Sequence, residues 1–458
     1  MRIKNLLTTA LAFALLACQN QNTETSVAKA EEADHEKESI DMGMHPDWTL
    51  HSSIYEINIR QHTPEGTLNA MREKLPELQK LGVKILWLMP VQPIGQEKRK
   101  GGLGSYYSIQ DYTAVNPEFG TMDDFKDFVT AAHDLGFKVI LDWVANHTAW
   151  DAVWMKEHKD WYTQKDGKVI APVDDWSDVA DLNYNNMDMR QAMLNAMKFW
   201  VDSTDIDGFR CDVAYMVPME FWNRTREALD SIKPVFMLAE AEGPEFHEKA
   251  FDMTYGWELH HLMNKIAKDE KPVAAIDSYI AKVDTMYPDN AFKMYFTTNH
   301  DENSWNGTVY ERMGNNAKNF FLLSTTLPHA MPLVYSGQAY GLNEALAFFE
   351  KDTISGTDTA LFDWYKEVIE LKMNHPALMM EPHAGDYERL KVEDEDLFAF
   401  TRTKGEDELL VVLNFSDEPK IFGYRGEGGW NPVIDGEELE QDKNSFKVPA
   451  NGYILAEN

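Results

Sequence analysis

The stretch Ile206-Asp207-Gly208-Phe209-Arg210-Cys211-Asp212-Val213 reads as a short buried strand with charge inside it. Strand side chains alternate between faces, so Arg210 and Asp212 share one face and Phe209, Cys211 and Val213 the other. Charge on one face of an apolar strand is costly unless it is paired or functional. A guanidinium two residues before a carboxylate would hold that carboxylate ionised, which a carboxylate nucleophile needs. Taken alone, the segment reads equally well as a structural ion pair in a core.

Working outward, this strand is one of a series. Strand-like runs at residues 53–59, 83–89, 138–144, 206–213, 235–239, 251–255, 292–298 and 332–336 alternate with amphipathic segments. Helical patterns fall at 68–81, 121–135, 189–201, 218–232, 311–326 and 359–373, with further helical segments up to about residue 286. Thr121 opens its helix with acids in the first turn, and Met193, Ala196, Met197, Trp200 and Val201 fall on one face of the next. Eight strand–helix repeats predict an α/β fold, a (β/α)8 TIM barrel over residues 46–381, rather than an open doubly wound sheet. Two strand-to-helix connections are long. One covers residues 90–119; the other, 148–188, carries Trp150, Trp154, Trp161 and Trp176 and reads as a subdomain inserted after strand three. Long loops at barrel strand ends build substrate clefts. From residue 382 short strands at 397–401, 408–415 and 445–448, with turns at Asp435-Gly436 and Asn451-Gly452, predict a C-terminal all-β sandwich domain over 382–458.

The N-terminal end is different in kind. Residues 1–17 combine Arg2 and Lys4 with an apolar run too short to span a membrane, and read as a secretory signal. They end in Leu15-Leu16-Ala17-Cys18, which resembles a bacterial lipobox and implies lipid attachment at Cys18. Gln19 follows instead of Asp, which favours the outer membrane within the cell envelope. Residues 18–45 carry few bulky apolar side chains and are expected to form a flexible acidic tether. A net charge of −33 repels nucleic acid and suits a neutral substrate. Of two cysteines, only Cys211 lies in the folded part, so no disulfide framework is expected there. Oligomeric state is not legible.

Catalytic residues of a barrel gather where its strands end. Four strand ends carry polar residues out of keeping with their apolar runs: Asp142 to His147, Arg210 to Asp212, Glu240, and Thr298 to Asp301. Two carboxylates across a cleft are the minimal tool for breaking a glycosidic bond, one ionised to attack and one protonated to donate. Asp212 beside Arg210 suits attack. Glu240, after an apolar strand and near other carboxylates, suits donation. Asp301 with His300 suits gripping substrate hydroxyls.

The ordered segments Asp142-x-Val144-x-Asn146-His147, Gly208-Phe209-Arg210-x-Asp212, Glu240 and Asn299-His300-Asp301 resemble the four motifs of the α-amylase family, glycoside hydrolase family 13. Ala180-Asp181-Leu182-Asn183, residues 107–112, Phe119-Gly120-Thr121 and residues 410–415 are similar as well, so the resemblance runs over about 48–458. It implies retaining hydrolysis of α-glucosidic bonds, mainly α-1,4, in starch-like glucans or maltooligosaccharides. Asp212 would be the nucleophile, Glu240 the acid/base and Asp301 the transition-state stabiliser. Tyr107, His147, Arg210 and His300 would bind substrate, and Asp142 would hold the rim. The chemistry requires no cofactor. Asn146 and Asp181 match calcium ligands in type, but Tyr215 and Met216 stand where relatives often have Lys-His, which weakens that site. Glu242, two residues past the acid, is expected to be a rim charge. Two alternatives are a transglycosylase or a cyclodextrin- or pullulan-acting relative, which share the covalent intermediate, and a non-catalytic glucan-binding surface lipoprotein, against which the intact carboxylates count.

Overall fold

Period-two patterning decides what each strand turns inward. The computed structural model describes residues 43–424, 429–434, 439–442 and 445–458. The signal peptide, Cys18, most of the tether and the Asp435-Gly436 turn lie outside the described residues. Eight parallel strands close into a barrel: β1 Ile54–Ile57, β2 Ile85–Leu88, β3 Lys138–Trp143, β4 Gly208–Cys211, β5 Phe236–Ala239, β6 Met253–Tyr255, β7 Phe292–Tyr295 and β8 Ala330–Tyr335. The neighbours follow chain order, and β8 pairs with β1 through Leu333 and Ile54.

Two apolar clusters follow from this alternation. Ile54, Ile85, Trp87, Ile140, Phe236, Leu238, Met253, Phe292 and Leu333 pack together inside the barrel. Tyr55, Leu86, Leu88, Val139, Leu141, Phe209 and Cys211 point outward and join the helices in the larger cluster. At the C-terminal end of the strands the inward series turns polar. Glu56 aligns with Trp87 across β1 and β2, and Asp142 with Arg210 across β3 and β4. Gly208 admits the close approach of β4 and β5: its φ is +154°, and a Cβ there would lie 1.9 Å from the Phe236 carbonyl oxygen.

Local signals explain where the expected elements broke. The helix expected at 68–81 is two, Leu68–Arg72 and Leu75–Leu81, because Pro76 can sit only in a first turn. The helix expected at 311–326 is likewise Val309–Met313 and Ala317–Thr326, divided at Gly314 with φ +56°. Thr121 does cap Met122–Asp134, in a reciprocal capping box with Asp124. The tether ends earlier than residue 45. His45 is buried, stacks on Phe292 at 4.0 Å and bonds Asp252 at 2.8 Å, while Arg226 donates to the Met44 carbonyl.

The insertion after β3 is held by antiparallel pairing of His147–Ala149 with Val179–Asp181. Among the described residues the C-terminal domain has a five-stranded and a three-stranded antiparallel sheet, with Leu397, Leu410, Phe422, Phe446 and Ile454 in one cluster. Asp386–Arg389, Lys420–Gly423 and Tyr453–Glu457 are strands beyond those expected. Asn319 of the barrel donates to the Asn414 carbonyl at 2.8 Å, and Trp364 to the Tyr453 hydroxyl at 2.7 Å, tying this domain to the barrel.

Candidate active site

Arg210, fully buried on β4, is the centre of the polar layer. Its Nη1 donates to Asp142 Oδ1 at 2.9 Å and to Asp212 Oδ1 at 3.0 Å. Its Nε donates to the Tyr255 hydroxyl at 3.0 Å. Nη2 lies 2.9 Å from Glu240 Oε2, close enough for an ion pair but without hydrogen-bond alignment. The rings of Trp87, Tyr255 and Tyr107 surround the guanidinium at 5.1, 5.5 and 5.8 Å. Arg210 therefore lies beneath the carboxylates and does not line the cavity, which corrects its expected role as a substrate contact. Its donors are spent on positioning acids.

Arg210 is not the only influence on Asp212. Burial, and then the charge of Glu240, push the Asp212 carboxyl well above the usual range, with Arg210 only partly opposing them. One guanidinium shared by three carboxyls cannot neutralise each. Asp142 shows the same balance: burial lifts it to about 6 against Arg210 and His300. It accepts from Arg210, from Trp87 Nε1 at 3.1 Å and from the Tyr107 hydroxyl at 3.1 Å. Asp142 is thus tied to three donors at the strand ends.

Val213, next after Asp212, sits at φ +38°, ψ +46°, an unfavourable conformation for a β-branched residue. That backbone aims its N–H at Glu240 Oε2 at 2.7 Å. Glu240 is thereby fixed from β4 although it follows β5, and its Oε1 takes neither contact.

His300 shows a charge that the sequence did not reveal. Its Nδ1 meets Glu56 Oε1 at 2.5 Å, and its Nε2 the Tyr107 hydroxyl at 2.8 Å and Asp301 Oδ2 at 3.3 Å. Burial opposes protonation, but Asp301 and Glu56 outweigh it and raise the imidazole to about 9. His147 is the opposite case: burial lowers it to about 3, so it is neutral, and it packs against Trp176 at 5.6 Å. Glu56 was missed by sequence reasoning. The available signal was a lone carboxylate inside the apolar run Ile54-Tyr55-Glu56-Ile57, the same anomaly that exposed Arg210 and Asp212.

Asp212, Glu240, Asp301, Tyr107, His147 and His300 line one cavity of about 520 Å³. Of the four loop tryptophans only Trp176 reaches it. Trp154 and Trp161 pack on each other at 5.3 Å, and Trp150 donates to the Ser177 carbonyl beneath Lys98. Glu242 accepts from the Glu258 N–H at the start of helix Trp257–Ile266, a structural rim contact. Tyr215 is 64% exposed beyond Asp212. Asn146 and Asp181 fall on neighbouring segments, joined by the Leu182 N–H to the Asn146 carbonyl at 3.1 Å. They offer one amide and one carboxylate oxygen where calcium takes about six to eight oxygens. Among the described residues no group of three or more His, Cys, Asp or Glu is arranged for a metal. The donor set fits a cation only in part, and no step below uses one.

A (β/α)8 barrel whose strand ends converge three acids on one guanidinium defines an enzyme of the glycoside-hydrolase type. The family profile "Alpha amylase, catalytic domain" matches residues 27–367, and the chain belongs to the α-amylase family. It is 28% identical over 413 residues to alpha-amylase MalA of Haloarcula japonica, covering 86% of this chain and 59% of that protein. It is 26% identical over 442 residues to neopullulanase 2 of Thermoactinomyces vulgaris, covering 85% of this chain and 70% of that protein. An alpha-amylase structure from Lactobacillus plantarum superposes with TM-score 0.81 at 29% identity, covering 89% of this chain and 98% of that one. A maltogenic alpha-amylase AmyB from Thermotoga neapolitana gives 0.80 at 28%, with the same coverage.

The charge on His300 makes a measurable statement about Glu56. Because the folded value is raised, this charge contributes stability fully present below about pH 6.5 and lost as pH rises through about 9. Glu56→Gln removes one of the two carboxylates responsible. The titration of the His300 ring, followed by NMR, is expected to fall by about one unit, with the alkaline loss of stability moving alongside. An unmoved midpoint would contradict the pairing.

Proposed function

We propose that the protein is a retaining hydrolase of α-glucosidic bonds, mainly α-1,4, in starch-like glucans or maltooligosaccharides. The observation that carries this reading is Arg210 bridging, from beneath, the cavity-lining acids Asp212 and Glu240. A side chain touching both acids favours the short carboxyl separation of retaining enzymes, ~5–5.5 Å, over the ~6.5–9.5 Å that admits an inverting water.

In the first step the Asp212 carboxylate attacks the anomeric carbon while Glu240 gives its proton to the leaving glycosidic oxygen. The bond to that oxygen breaks, and a glycosyl ester forms on Asp212. Positive charge growing at the anomeric carbon offsets the burial that disfavours ionised Asp212. In the second step Glu240, now a base, takes a proton from water, which attacks the ester and frees Asp212. Asp301 and protonated His300 hold hydroxyls of the reacting sugar, Tyr107 offers its ring face, and neutral His147 completes the wall.

Asp212→Ala and Glu240→Gln are each expected to lower kcat on maltooligosaccharides by several orders of magnitude, about 10³-fold or more, with the fold kept. NMR of fresh product should show the α anomer. Near-parental turnover in either variant, or an initial β anomer, would remove the role assignments.

The location of the protein is proposed from sequence alone: lipid attachment at Cys18 and anchoring in the cell envelope, at the outer membrane. Cys18→Ser is expected to shift the protein from the membrane to the soluble fraction, and unchanged partitioning would refute the anchor.

A further inference from the structure

The chemistry gives the cavity a direction. On the roles proposed above, Glu240 protonates the departing part of the substrate, which would then leave past Val213 and the exposed Tyr215. The transferred sugar, facing the Tyr107 ring in that reading, would lie on the Tyr107 side with whatever precedes it toward the non-reducing end. These two sides are built differently.

Behind Tyr107 three separate loops are bonded to one another. Lys100, in the connection after β2, pairs with the Asp178 carboxylate at 3.2 Å and donates to the Asp175 carbonyl at 2.6 Å. Both acids belong to the insertion after β3, and Asp178 is buried. On its other flank the same connection meets the loop after β8. Gly102 N–H donates to Glu350 Oε1 at 2.5 Å, and Leu103 N–H to the Phe349 carbonyl at 2.9 Å. Gly101, at φ +63°, permits this contact, since a Cβ there would lie 2.4 Å from Phe349 Cβ. Phe348 then lies parallel to Tyr107 at 6.2 Å and carries Trp305 at 5.3 Å. Lys100, Asp178, Phe348 and Trp305 line the same cavity as Asp212. The Glu240 carboxylate, by contrast, contacts only Arg210 and Val213 of the neighbouring strand end among the bonds described.

We infer that the Lys100–Asp178 bridge and the Phe348–Phe349 loop wall off the non-reducing end of the cavity, so that the enzyme works from chain ends and takes a short glycone. This rests on the reading of the site as an α-glucosidase centre. A long glucan would enter with its free non-reducing end against the wall. The rest of the chain would trail out past Tyr215. Internal cleavage would require a passage between the bridged loops.

Two maltoheptaosides separate the cases, both with a reducing-end chromophore and one with its non-reducing glucose blocked as a 4,6-acetal. The unblocked substrate is expected to be cleaved, and the blocked one at least about tenfold more slowly. Lys100→Ala is expected to narrow that ratio by opening the wall. Equal rates on both substrates would overturn the wall while leaving the glycosidase reading intact. Cleavage of neither would overturn the glycosidase reading, and the wall with it. A ratio unchanged in Lys100→Ala would remove the bridge as the element that closes this end.

Discussion

One buried guanidinium organises the polar end of this barrel. Arg210 is the one cation that pairs directly with Asp142, Asp212 and Glu240 among the contacts described. A buried charge of this kind is tolerable because its donors meet carboxyls, a tyrosine hydroxyl and ring faces. Arg210 cannot satisfy three carboxyls at once, however. The deficit raises Asp142 and Asp212 above the ordinary range. His300, held protonated by Asp301 and Glu56, supplies the second cation of the layer. The site is therefore one coupled cluster of charges rather than a set of isolated ion pairs.

The barrel produces this arrangement through strand parity. The positions that bury Ile54, Ile85, Ile140 and Phe236 in the barrel interior continue, two residues on, to Glu56, Trp87, Asp142 and Leu238. The lower layers supply the hydrophobic burial that fixes the strands. The uppermost layer then uses the fixed frame to present charge. Strain at Val213 fits this division: a β-branched residue is held at positive φ where its N–H reaches Glu240.

Much of this was legible in the sequence, for local reasons. Arg210 and Asp212 share a strand face, polar residues interrupt apolar runs at four strand ends, and Thr121 begins a helix. Pro76 and Gly314 also carried readable breaks that the broader helical periodicity concealed. Other features depend on ring closure. Glu56 meets His300 across 244 residues of chain, and nothing near either residue specifies the partner. The upward pull on the Asp212 carboxyl was not legible, because Glu240, whose charge contributes to it, arrives from a different strand. The loop tryptophans were ambiguous in principle, since an aromatic face suits a sugar and a core equally well; packing assigns most of them to the core.

The most direct test is to trap the glycosyl ester that the two-step chemistry requires. A fluorinated α-glucosyl fluoride slows both steps and, with a good leaving group, lets the ester accumulate. Mass spectrometry of the digested protein is expected to find one added glycosyl unit on the peptide containing Asp212. A label on Glu240 or Asp301 instead, or turnover of the reagent with inversion and no labelled peptide, would contradict Asp212 as the nucleophile.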